Sequence, residues 1–109
     1  MSPHRFDEMR VLVERWARVV DEIERGYTLT FDDYLNDLDL RHRIAVGELE
    51  SAIDDATRAE LVRTDARFRV VTEEMGDCVW GEENALEEGW RREIEWYYFR
   101  RPVSRPDAW

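Results

Sequence analysis

The chain has no lysine and no glutamine, one cysteine and only three prolines. No apolar run approaches the ~20 residues that a bilayer-spanning helix needs. The single cysteine, Cys78, excludes an internal disulfide and fits a reducing compartment. With His4 and His42 as the only histidines, a structural zinc site fails on ligand count. Met1–Glu8 lacks the apolar core of a signal peptide, so the expected location is the cytoplasm. All sixteen basic residues are arginine. The codon usage of a GC-rich bacterial genome accounts for this better than a surface adapted to high salt.

What is present is acid. Twenty-six Asp and Glu against sixteen Arg leave a formal net charge of −10 over 109 residues. That balance argues against nucleic acid, whose phosphates need cationic contacts. It leaves room for a basic protein partner, or for mimicry of nucleic acid. The charge is also uneven. Residues 1–89 carry 23 acids and 11 arginines, and residues 90–109 carry 3 acids and 5 arginines. The length predicts one domain able to build its core without metal.

Apolar residues at Phe6, Met9, Val13, Trp16, Val20 and Ile23 form a heptad seam and predict a first helix over residues 3–25, opened by Ser2 and Pro3. Gly26 suits the residue after its C-terminus, where a left-handed backbone carries no Cβ penalty. Thr30, with Asp33 three residues on, reads as a capping box for a second helix. That helix is expected to run from Phe31 to about Glu50, along Phe31, Leu35, Leu38, His42, Ala45 and Leu49. Gly47 inside it signals a kink, an early end or a close helix crossing. Asp54 and Asp55 open a third helix over 55–72. Asp65 falls on its Leu61–Phe68 side and, if buried, needs an arginine. Residues 73–88 hold seven acids and no base, with a short helix expected at 82–88. Trp90, Ile94 and Tyr97 share one face if helical, whereas Trp96-Tyr97-Tyr98-Phe99 also suits an extended segment. Residues 102–109 have no pattern and read as a tail, mobile unless Trp109 docks. The expected fold is all-α: an antiparallel bundle of three long helices with a short C-terminal helix or aromatic segment in residues 1–101.

No catalytic motif is met. Asp33, Asn36 and Asp37 lie about one helical turn apart and are the candidate oxygen ligands for Mg²⁺ or Mn²⁺. A calcium loop read from Asp37 fails, because His42 stands where a glycine must turn the chain. The paired acidic motifs of helical nucleotide pyrophosphatases are not met by Asp21 and Glu24. His42 on an apolar seam reads as a core or boundary residue. Glu82, Glu83, Glu87 and Glu88, with Trp90, Trp96 and Tyr98, are the candidate partner contacts, since Trp, Tyr and Arg dominate interface hot spots.

The segment from Gly26 to Arg41, Arg67-Phe68 and the Phe99-Arg100-Arg101-Pro102 close together resemble small uncharacterised bacterial all-α proteins. The resemblance implies a helical fold and brings no activity, cofactor or functional residue. In size and acidity alone the chain is also similar to immunity proteins that neutralise toxins. The leading expectation is a non-enzymatic acidic protein, immunity-like or an adaptor, that binds a basic partner, with no cofactor and no membrane. A Mg²⁺- or Mn²⁺-dependent hydrolase of a phosphorylated small molecule on the Asp33/Asp37 face is the first alternative. A structural homodimer is the second.

Overall fold

The computed structural model describes residues 4–109, and the side chains of residues 6–109. The expected Ser2–Pro3 helix start and the side chain of His4 lie outside that range. The chain is mostly helical, in the order α1 (His4–Glu24), α2 (Phe31–Leu49), α3 (Asp55–Val71), β1 (Thr72–Glu74), α4 (Glu82–Glu88), a 3-10 turn (Trp96–Phe99) and β2 (Arg100–Pro102).

The α1 seam buries as its spacing predicts. Met9, Val13, Trp16, Val20 and Ile23 are each at most 4% exposed. That face is shared: α1 packs against both α2 and α3. Trp16 meets Phe68 of α3 with ring centroids 4.9 Å apart. At its outer edge, Arg67 of α3 pairs with Asp21 and Glu24 of α1.

Gly26, with φ of +97°, ends α1, and Thr30 starts α2. The capping box forms in both directions. Asp33 N donates to Thr30 Oγ1 at 3.1 Å, and Thr30 N donates to Asp33 Oδ2 at 3.2 Å. Along α2 the buried line differs from the expected one. Tyr34, Leu35, Leu38, Arg41, Ile44 and Gly47 are buried, while Leu49 is 87% exposed. The helix is rotated toward a residue that any hydropathy pattern counts as polar, Arg41. Gly47 is a close crossing. A Cβ built there would collide with Met9 Sδ of α1.

Arg41 is drawn inward by Asp65. Its Nε and Nη2 donate to the two carboxylate oxygens at 3.0 and 2.9 Å, and Trp16 Nε1 donates to Oδ1 at 3.0 Å. One carboxylate on α3 thus ties α1 and α2 together. The partner of Asp65 is an arginine, as its place on α3 requires, and it comes from another helix.

The C-terminal third adds what periodicity does not show. Residues 90–95 form no helix, with a turn over 92–94, so Trp90, Ile94 and Tyr97 do not share a helical face: Ile94 is 63% exposed and Tyr97 1%. The 3-10 turn then buries Tyr97, Tyr98 and Phe99. β2 pairs antiparallel with β1 in the register Thr72↔Pro102, a small sheet that the all-α expectation omits. Arg100 fastens it to the end of α3, donating to Thr72 Oγ1, Thr72 O and Arg69 O, as basic side chains do at the free carbonyls of a helix C-terminus. Residues 103–109 return to the α1–α2 turn. Tyr27 N donates to Ser104 O, and the Trp109 ring sits 5.0–5.6 Å from Tyr27, Phe31 and Tyr34.

Gly47→Ala gains helix propensity of up to about 1 kcal/mol but overpacks the crossing by ~1–3 kcal/mol. The expected result is a net loss in urea unfolding that shrinks when Met9→Ala is combined with it. A fully additive double-mutant cycle contradicts the close crossing.

Candidate functional site

Arg41–Asp65 positions the aromatic turn, and the turn builds the candidate surface. The Arg41 guanidinium lies 5.0 Å from the Tyr97 ring centroid and 5.8 Å from that of Trp96. The Arg69 guanidinium lies 3.9 Å from the Trp96 ring centroid. Tyr97 OH meets His42 Nδ1 at 2.8 Å, and Tyr98 OH donates to Asp39 Oδ1 at 2.9 Å. Burial pushes the pKa of both phenols upward, so they remain neutral at physiological pH. His42 is the boundary residue that its place on α2 suggests.

α4 lies beyond this turn. Gly89, with φ of +73°, ends it, and Trp90 N donates back to Ala85 O at 2.9 Å. The chain then places the Trp90 ring 4.6 Å from that of Tyr98 and 5.9 Å from His42. Between α2 and α4 runs an open groove of about 600 Å³. Asp39, His42 and Arg43 form one wall, Trp80, Asn84, Glu88 and Trp90 the other, and Tyr98 also lines it. Asn84 Nδ2 donates to Trp80 O at 2.7 Å, whereas Trp80 Nε1 is buried without a hydrogen-bond partner.

The expected partner residues divide into three kinds. Glu82, Glu83, Glu87 and Glu88 are exposed on α4, and among the described residues no ion pair reaches any of them. Trp90 and Trp96 are half-buried. Tyr98 is 1% exposed, so it supports the groove rather than offering a ring to a partner. Arg43, Trp80 and Asn84 carry no signal in the sequence, and Asp39 stands there only in the acidic run weighed for a metal. They are scattered in the chain, and only the packing of α4 beside α2 brings them together.

The α4 acids also repel one of their own neighbours. A hydrogen bond with Asp77, and then the Asp77 charge, hold the Glu82 carboxyl above its usual 4.5. Two carboxylates side by side resist ionising together.

The candidate metal ligands have other employment. Asp33 closes the capping box of α2, Asp37 Oδ2 accepts from Tyr27 OH at 2.6 Å, and Asn36 is exposed. Burial raises the Asp37 pKa, partly opposed by the Tyr27 bond and reinforced by Glu22 and Asp33. Among the described residues no three or more His, Cys, Asp or Glu gather as a metal site. Asp21 and Glu24 are both held by Arg67. Cys78 is buried, and desolvation raises its pKa, which keeps the thiol protonated and weakly nucleophilic. No helix among the described residues is long and apolar enough to cross a membrane. Comparison with protein-family models, curated proteins and solved structures finds no match to this chain.

Asp65→Ala leaves buried Arg41 with Glu48 alone, at 3.8 Å, and is expected to cost up to about 3 kcal/mol in urea unfolding, while Arg41→Met with Asp65→Leu costs less. Equal losses in the single and double variants contradict the buried pair. For Glu82 the folded pKa lies above the unfolded one, so the folded state holds more proton between the two values. Its contribution therefore turns unfavourable as pH rises through that window, from about 4.5 upward. Glu82→Gln is expected to raise the urea midpoint at pH 7 and leave it unchanged at pH 3. A midpoint that Glu82→Gln lowers at pH 7 removes the repulsion argument.

Proposed function

We propose that this chain is a non-enzymatic binding protein that holds a basic protein partner in a neutralising or adaptor role. The three longer helices act as an antiparallel scaffold, and the protein works as a monomer or homodimer in the cytoplasm. The observation that carries this reading is the unneutralised acid of α4. Elsewhere seven of the sixteen arginines, Arg10, Arg41, Arg58, Arg63, Arg67, Arg101 and Arg105, each contact an acid. Glu82, Glu83, Glu87 and Glu88 have no such contact, and Glu82 is set against Asp77. A cationic partner relieves that opposition on binding. Trp90, half-buried at the head of the groove, is a rigid anchor beside the charges.

Charge of this kind governs encounter rate and partner choice, and it is screened by salt. The test is capture of partners from the native cells by tagged protein at low and high salt, read by mass spectrometry. A basic protein enriched at low salt and depleted at high salt is expected. Glu87→Lys combined with Glu88→Lys is expected to lose it at low salt with thermal unfolding unchanged, since both side chains are exposed. Retention by that variant, or indifference to salt, overturns the reading.

A further inference from the structure

On the other side of His42, α2 and residues 94–97 enclose a second groove of about 370 Å³. Val46 and Leu49 line one side, Ile94 and Trp96 the other. Leu49 is 87% exposed, Ile94 63% and Val46 42%. Three aliphatic side chains meeting in one groove on a strongly acidic protein form the kind of patch kept for a contact.

The floor carries a polar group that points to a ligand. Arg41 lines the groove and is 5% exposed. Asp65 takes its Nε and Nη2, and Nη1, on the opposite edge of the fork, has no hydrogen-bond partner. A buried N–H in that state lowers stability until an acceptor reaches it.

The charges nearby decide which acceptor belongs there. Arg41 already faces Asp65 at 2.9 Å and Glu48 at 3.8 Å, and Glu95 borders the same groove. The Arg41 charge is already matched by Asp65 and Glu48, so an anionic ligand meets these carboxylates before it gains from the guanidinium. A neutral carbonyl oxygen meets no such opposition. Glu48 is shared only loosely with Arg58 at 3.7 Å, so the rim favours cationic neighbours. A second copy of this chain would bring its own net charge of −10 to that rim.

We propose that this groove docks a short apolar–basic segment of a protein partner. A branched aliphatic side chain of the segment seats among Val46, Leu49 and Ile94. A main-chain carbonyl of the segment accepts from Arg41 Nη1, and flanking Lys or Arg side chains meet Glu48 and Glu95. This rests on the reading of the protein as an acidic binding module and adds the side-chain chemistry that its partner presents.

The probes are two labelled synthetic peptides of equal length and equal arginine content, one with leucine at its apolar positions and one with serine. Fluorescence anisotropy is read on the full chain and on Leu49→Asp and Ile94→Asp, whose side chains are exposed and whose thermal midpoints are expected to stay unchanged. The leucine peptide is expected to bind roughly tenfold more tightly than the serine peptide. Each variant is expected to remove that preference, and the Arg41 guanidinium N–H signals are expected to shift with the leucine peptide. Equal, salt-sensitive binding of both peptides overturns the groove and leaves the acidic reading standing. A leucine preference that survives in both variants also overturns the groove. No binding of either peptide at low salt removes both. Self-association abolished by Ile94→Asp assigns the groove to a second copy and overturns the proposal.

Discussion

One carboxylate holds the three longer helices in register. Asp65 accepts from Trp16 on α1 and from Arg41 on α2, at 2.9–3.0 Å, while standing on α3. A buried ion pair is not a free gain. The cost of removing both charges from water can equal or exceed their attraction. Its value lies in geometry. A bidentate arginine accepts few orientations, so the pair fixes the rotation of α2 and its distance from α3. Purely aliphatic contact tolerates more rotations.

Much else follows from that rotation. With Arg41 turned inward, its guanidinium lies beneath the Tyr97 and Trp96 rings and supports the 3-10 turn. With Leu49 turned outward, an aliphatic patch is left on the surface. His42, one residue after Arg41, separates the two grooves and is bonded to Tyr97. The surface proposed for binding is therefore a consequence of how the core is locked. The Arg41 N–H left over from the core pair faces the same question as the unpaired acids of α4. In both places the chain carries a polar group that its own fold does not complete.

The C-terminal segment closes the molecule from the other end. β2 and Arg100 secure the end of α3, and Trp109 covers the α1–α2 turn. Glu73 is held by Arg101 and Arg105, which keep its carboxyl below the usual range. The basic surplus of residues 90–109 is thus partly spent on the acids of β1 and on the carbonyls of α3. Less of it remains to offset α4.

Local signals in the chain were enough for the helices. The α1 seam, the Thr30–Asp33 box, the Asp54 cap and the α4 boundaries each depend on residues within a few positions of one another, and each is present in the structure. The exposure of the α4 glutamates was equally readable, because like charges in one short segment must face water. Tertiary packing decided the rest. Arg41 pairs with Asp65 across 24 residues, Trp16 with Asp65 across 49 and Tyr98 with Asp39 across 59. No periodicity records a contact between one polar residue and another so far away. The expected α2 seam therefore included Leu49 and left out Arg41, and the fold buries Arg41 and exposes Leu49. The short sheet and the two grooves belong to the same class. Their walls come from separated segments, so they exist only once the helices have been set at the angle that one half-buried carboxylate selects.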